Sequence, residues 1–441
     1  MQNTLKLHRF CIHLFILGLC LCEVYQLTAQ SNEQTSHKEL TILADTYLSA
    51  LTELKQFNGV VLLQKEGEII LNKAYNITTD KNSSLYVHES SQFDIRSIAK
   101  LFAKHAMYEL EKEEKIDLDS NISYYIPAIP MEKQISFNHL LNHTSGLPRE
   151  FINTAKPPVN MTTNDVIKYI ANQNLEFAPG TDTRYSNLGY QLIYYSLGQI
   201  YNSTYVDVMR TKYFNTMGMV NSGSNFNDPL SSKLNYAFGH VVKDSIISCI
   251  CDFENDDMKM GNLFSTAQDL NMFLNTLDEN TNAALVDSGS ISHAGGSKGK
   301  RAYIERNFIK NYQIIFLANY DAIPFQKLTR DLKSLMEGLP TKIPKPVNRK
   351  AVNIDPYILK QYEGTYDIVD AGHILVTIKE IDGQLFLFQN GKNNGQLFAE
   401  TDTIFFSDSN SEESVKFILD NTNTWQMLID FQGVQWRATR Q

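Results

Sequence analysis

No long run of basic residues appears in this chain, and its formal net charge is −9. A phosphate backbone is held by clustered Lys and Arg, so a nucleic-acid partner is excluded. Cysteine is scarce: of five, Cys11, Cys20 and Cys22 fall in the first 30 residues. The other two, Cys249 and Cys251, sit two apart in the apolar run SIISCICDF. A bridge at that spacing would be strained, so both are expected as free thiols, and neither a disulfide framework nor a four-ligand metal site is implied. Apolar runs long enough to span a bilayer are missing after the N-terminus, so no membrane span is expected in the mature chain. There is no G-x-S-x-G, which removes the nucleophile elbow of α/β-hydrolases. Internal repeats and low-complexity tracts are missing too, which excludes repeat arrays.

What is present is an ordinary globular composition, 43% hydrophobic and 20% charged, over 441 residues. That length suits about two or three domains. Lys6, His8 and Arg9 precede FCIHLFILGLCLC, and Ala29 offers a small residue for cleavage. Residues 1–29 are therefore expected to be a secretory signal peptide, and the protein periplasmic or secreted. From Lys38 a helical period follows. GVVLLQKEGEIILNKAYN then reads as a hairpin, and RAYIERNFIKNYQIIFLANY as a second one, with mostly helical text between. The economical fold is one antiparallel sheet built from both ends of residues 30–338, covered by helices, with a helical subdomain inserted. Residues 339–356 carry four prolines and are expected as a linker. Residues 357–441 are short alternating runs, a small all-β barrel or sandwich.

In FDIRSIAK, Ser97 stands where a polar stretch gives way to helical spacing, with Lys100 three residues on. Positions i and i+3 share a helix face, so the amine can reach the hydroxyl. Acyl transfer from serine also needs proton-handling groups and donors for an oxyanion. Tyr185 and Asn187 in RYSNLGY, and His293, Gly295 and Gly296 in SHAGGSKG, are the candidates. A phenol beside a lysine ammonium can have its pKa lowered, and glycines at a strand edge admit close backbone approach. Short patterns recur by chance: Ser297 to Lys300 is a second Ser-x-x-Lys, and Tyr213 to Asn215 a second Tyr-x-Asn. His139 and His143, four apart, could hold a metal only with a third ligand, and none is evident.

In that order the motifs resemble the serine β-lactamase and penicillin-binding-protein superfamily, in its class C β-lactamase, esterase and D-aminopeptidase-like branch. FDIRSIAK, KIDLDSNISYYIP, ISFNHLLNHTSGLP, FAPGTDTRYSNLGYQLI, MGM and GNLFSTAQDLNMFL carry the resemblance, from Glu39 to Met336. It implies an α+β fold, with a β-lactamase/DD-peptidase-like antiparallel sheet flanked by helices and an inserted helical subdomain. The tail is similar to a lipocalin-like domain. It also implies Ser97 as nucleophile, with Lys100 and Tyr185 sharing the proton work and Asn187 positioning Lys100 and substrate. His293 would form a polar or electropositive wall, and backbone N–H groups of Ser97 and Gly296 an oxyanion hole. Neither spacing nor resemblance chooses between Lys100 and Tyr185 as base. No cofactor and no metal is implied; the partner is a small or peptidic amide or ester. Arg96 stands where relatives often have a small residue, and the segment between DLNMFL and SHAGG is short. A non-turnover penicillin-binding or peptidoglycan-sensing protein is the alternative.

Overall fold

The computed structural model describes residues 37–151, 162–224, 235–243, 246–250, 261–371, 373–389, 391–431 and 433–441. The expected signal segment lies outside them. The chain divides into two compact units, Met1–Thr52 with Phe57–Asp321 and Leu335–Pro340, and Glu53–Gln56 with Ala322–Ser334 and Thr341–Gln441. No helix among the described residues is long and apolar enough to cross a membrane.

In the first unit α1 (residues 37–53) leads into β1 (Gly59–Lys65) and β2 (Glu68–Tyr75). A short β3 (Phe93–Asp94) and a 3-10 turn (Arg96–Ile98) open into α2 (Ala99–Lys112). Then come α3 (Phe137–Leu141), α4 (Thr163–Ala171), α5 (Asn187–Ile200), α6 (Tyr205–Met209) and α7 (Asn215–Met217). Short strands β4 (Gly223–Ser224), β5 (Gly239–Lys243), β6 (Ile246–Ile250) and β7 (Leu263–Ser265) precede α8 (Ala267–Thr276). The unit closes with β8 (Ser290–Ser297), β9 (Lys300–Asn307) and β10 (Tyr312–Ala318).

The main sheet runs β2-β1-β10-β9-β8, so the two ends of the unit meet at its centre, with Gly59 opposite Ala318. Both central strands are continuous apolar runs, GVVLL and IIFLA, buried on both faces. Covering both faces removes the need for alternation. Helix α5 is buried almost all round, from Leu188 to Gly198, as its apolar sequence requires. Phe102 of α2 stacks on Phe273 of α8 at 4.0 Å and fixes the nucleophile helix in the core.

One sequence expectation is corrected on β6. Cys249 is disulfide-bonded, not a free thiol, and every other cysteine lies outside the described residues. The spacing argument weighed strain alone and so missed the bond.

In the second unit, α9 (Phe325–Met336) and α10 (Pro356–Lys360) accompany a closed antiparallel barrel. Its strands are β11 (Gly364–Ile368), β12 (Ile374–Ile381), β13 (Gln384–Gln389), β14 (Lys392–Ala399), β15 (Ile404–Phe406), β16 (Ser414–Leu419), β17 (Trp425–Phe431) and β18 (Val434–Arg440). The pairing of β11 with β18 closes the ring. The proline-rich stretch is tied to it: Arg349 N donates to Ser409 O at 2.8 Å, its guanidinium meets Glu400 at 2.7 Å, and Val352 N donates to Ala399 O.

Candidate active site

Ser97 sits in the 3-10 turn between β3 and α2, with Lys100 in the first turn of the helix. Lys100 Nζ donates to Ser97 Oγ at 3.1 Å, and Tyr185 Oη donates to the same oxygen at 2.8 Å. The lysine is 6% exposed, and its ammonium lies 5.1 Å from the Tyr185 ring and 5.5 Å from the Tyr190 ring. A neighbour on the same helix turn and a residue 88 positions on in sequence thus converge on one hydroxyl.

Each residue of the Tyr-Ser-Asn tripeptide has its own part in the local structure. Ser186 is the N-cap of α5: its Oγ accepts from Gly189 N at 3.0 Å and donates to Pro148 O at 2.8 Å. Such a cap is worth about 1 kcal/mol. It sets the angle at which Tyr185, just before the helix, points at Ser97. Asn187 donates its backbone N–H to Arg149 O at 2.9 Å and its side-chain amide to Glu150 Oε1.

Burial raises the Tyr185 pKa, and the Ser97 hydrogen bond and the Arg149 charge only partly offset it. The nearby ammonium therefore does not leave an ionised phenol, contrary to the lowering expected from sequence. His143 lies against Tyr185, ring centroids 4.3 Å apart. Burial, helped by the charges of Lys100, His293, Lys104 and Arg149, holds its pKa down at about 4. Its Nδ1 accepts from Ser186 N at 3.2 Å, which puts the proton of the neutral ring on Nε2.

Strand β8 is the sheet edge beside the nucleophile turn. A Cβ on Gly295 would stand 2.3 Å from Ile95 O and 3.2 Å from Ser97 N, so only glycine fits there. Gly296 has room, its nearest neighbour for a Cβ being Arg301 Cδ at 3.4 Å. His293 Nδ1 bonds Ala294 O at 2.8 Å, and burial brings its pKa down to about 4. The wall at His293 is therefore neutral near pH 7, not electropositive.

Arg96 adopts φ +50°, a left-handed conformation costing about 1–3 kcal/mol outside glycine. Asp94 holds it. Asp94 Oδ1 accepts from Arg96 N at 3.0 Å, while Oδ2 lies 3.3 Å from Arg96 Nε and 3.3 Å from Lys300 Nζ. Sequence reading missed this buried triad, because Lys300 stood out only as part of a chance Ser-x-x-Lys. That pair spans a hairpin: Ser297 faces Lys300 in register, and Ser297 Oγ has no hydrogen-bond partner among the described residues. The chance Tyr213 is a core residue, bonded through Oη to His105 Nδ1 at 2.8 Å. His139 and His143 do not converge, since His139 Nδ1 accepts from Ser136 N in a capping box. Among the described residues no group of three or more His, Cys, Asp or Glu could hold a metal ion.

The Beta-lactamase family model matches residues 44–322. The chain is 25% identical to "Penicillin-binding protein 4*" of Bacillus subtilis, over 92% of this chain and 99% of that one. In three dimensions it resembles the octameric penicillin-binding protein homologue from Pyrococcus abyssi, with TM-score 0.58 and 18% identity over 89% of this chain and 97% of the other. It also resembles the D-amino acid amidase from Ochrobactrum anthropi, solved with D-phenylalanine, with TM-score 0.57 and 18% identity over 67% and 99%.

Proposed function

The chain belongs to the beta-lactamase family, and from that premise we propose that it is an exported serine hydrolase cleaving an amide or ester through an acyl-enzyme on Ser97. One observation carries the reading: Lys100 Nζ and Tyr185 Oη both bond Ser97 Oγ. Lys100 first gives up its ammonium proton to water, and the resulting amine takes the Ser97 proton while Oγ attacks the carbonyl carbon. The carbonyl electron pair moves onto oxygen, where the N–H groups of Ser97 and Gly296 receive it. On collapse the bond to the leaving group breaks. Tyr185, kept as a neutral phenol by burial, gives that group its proton and recovers one from Lys100. Water then repeats the sequence on the acyl-enzyme. Asn187, His293 and Gly295 shape the substrate side of the cleft. Export rests on Lys6, His8 and Arg9 ahead of the N-terminal apolar run. The amidase and the penicillin-binding relative support an amide, such as a D-amino-acid peptide or a β-lactam.

The test is covalent labelling by a fluorophosphonate and by a penicillin probe, with Ser97→Ala beside the wild type. Labelling is expected to vanish in a variant with unchanged circular dichroism; equal labelling would sink the assignment. Turnover of a chromogenic ester, a cephalosporin and a D-alanyl peptide then separates a hydrolase from a sensor. A stable adduct with no turnover of any of the three would favour the penicillin-binding or peptidoglycan-sensing alternative.

A further inference from the structure

Helix α2 carries a second lysine on the side that carries Lys100. Ser97, Lys100 and Lys104 follow one another at spacings of three and four residues, so they share one side of the helix and of the turn that opens it. Long side chains on a helix lean toward its N-terminus, which directs the Lys104 stem toward Lys100. Tyr108, one turn further on, leans back in the same way, and the Lys104 ammonium lies 5.9 Å from its ring centroid. Lys104 is half-buried. It has no carboxylate partner among the described residues, and burial lowers its pKa. A cation drawn out of water without an anion lowers stability, so stability does not account for its place.

The groups around Lys100 decide what that charge acts on. Tyr185 and Tyr190 present their rings to Lys100, and burial raises the pKa of both phenols, which keeps them neutral. His143, in the loop after α3, and His293, on β8, are the nearby imidazoles. Burial leads in lowering the pKa of each, and the charges of Lys100 and Lys104 both add to it. The same two rings thus feel both lysines. Arg149 lies 5.2 Å from the Tyr185 ring but is exposed, where solvent screens it. Glu150 bonds the Asn187 amide, and on the nucleophile turn Asp94 holds Arg96 and Lys300. Lys104 is the cation that shares both the helix face of Lys100 and its removal from water. A like charge disfavours the charged form of its neighbour, and acylation needs Lys100 as an amine. Resting on the acyl-enzyme reading of Ser97, we propose that Lys104 is a positioning residue for acylation that acts through Lys100, driving its ammonium proton to water so that the amine can accept the Ser97 proton. One N–H bond of Lys100 breaks in the first step, and one forms in the second as the Ser97 O–H bond breaks.

The test is the pH profile of fluorophosphonate labelling of the full chain, from about pH 6 to about pH 10, the range in which a lysine with a lowered pKa titrates. The labelling rate should rise with pH as Lys100 loses its proton. Lys104→Met keeps the apolar stem and removes the charge. Its limb is expected to move up by about one pH unit, the scale of a partly screened like charge one turn away. Labelling near pH 7 then falls about tenfold, while the alkaline plateau stays within about threefold of wild type. Lys104→Arg should restore the wild-type limb. Lys298→Met, which removes an exposed charge of the same sign, should leave the limb in place. Lys104→Gln gives the same reading if the methionine variant does not fold. A merely structural role would lower the rate at every pH and leave the limb where it is. An unmoved limb in folded Lys104→Met or Lys104→Gln, or an equal shift in Lys104→Arg, would overturn the inference and leave the Ser97 reading intact. No labelling of the wild type at any pH would overturn that reading, and this inference with it.

Discussion

At the scale of single residues, two Ser-x-x-Lys sequences had equal claims by spacing, and environment separates them. Lys100 is on a helix turn that brings its amine to Ser97; Lys300 is across a hairpin and bonds Asp94 instead. Their loss should therefore differ in kind. Lys100→Ala is expected to slow acylation by about 100-fold or more, the scale of a lost general base. Lys298→Ala should be neutral, since that side chain is exposed. Lys300→Ala takes one cation away from the buried Asp94, and breaking a buried pair costs about 3 kcal/mol or more. A lowered melting temperature with folded protein still labelling within about tenfold of wild type is expected. Labelling rates at a temperature where each variant is fully folded make the comparison. A 100-fold loss at Lys300 with normal stability would show that the triad acts on the chemistry itself.

At the scale of elements, the legible parts were those coded locally. The two hairpins of the main sheet, β1–β2 and β9–β10, show as apolar runs about charged turns, and α2 and α5 show as helical periods. The Ser97, Lys100 and Tyr185 set was legible because three short motifs stand in order. Partners contributed by distant text were not: Asp94 with Lys300, His143 with Tyr185, and Glu150 with Asn187 depend on the packing of β8, β9 and the loop after α3. Closure of the barrel was equally hidden, since β11 and β18 lie far apart in sequence. The two glycines after His293 looked alike in sequence, and the structure distinguishes them. Gly295→Ala would drive a methyl into Ile95 O and push the nucleophile turn away from β8. Labelling of Ser97 is expected to fall more than about tenfold, a misplacement on the order of 1 Å being costly in a preorganised site. Gly296→Ala should stay within a few-fold, because an alanine keeps the same backbone N–H. The contrast is read from labelling rates of the two variants side by side. Equal losses would mean that β8 does not set the position of Ser97.

At the scale of the whole molecule, the first unit buries histidines in their neutral form, and this fixes how its stability responds to acid. His143 and His293 are held at about 4, below the ordinary 6.5. His105 and His240 are lowered in the same direction by burial, His240 while bonded to Ser84 Oγ at 2.9 Å. The unfolded chain takes up protons on these rings as pH falls below about 6.5, while the folded chain does not until pH approaches about 4. In that window the unfolded state binds more protons, so stability falls with falling pH. The contribution is complete above pH 6.5 and gone below about 4. For His143 and His293 the difference is at most 2.5 pH units each, or about 3 kcal/mol per residue at 1.36 kcal/mol per unit. Partial exposure of both rings reduces this, so a combined loss of about 2–5 kcal/mol is expected between pH 7 and pH 4.5. Asp269, whose pKa burial raises, pulls the other way as it protonates. Urea midpoints followed by far-UV circular dichroism at the two pH values measure the change. The midpoint should drop in the wild type and drop less in His143→Gln, where the ring that must stay neutral is gone. A midpoint unchanged or rising toward pH 4.5 would contradict the neutral, buried state assigned to these rings, and with it the uncharged wall at His293 beside Ser97.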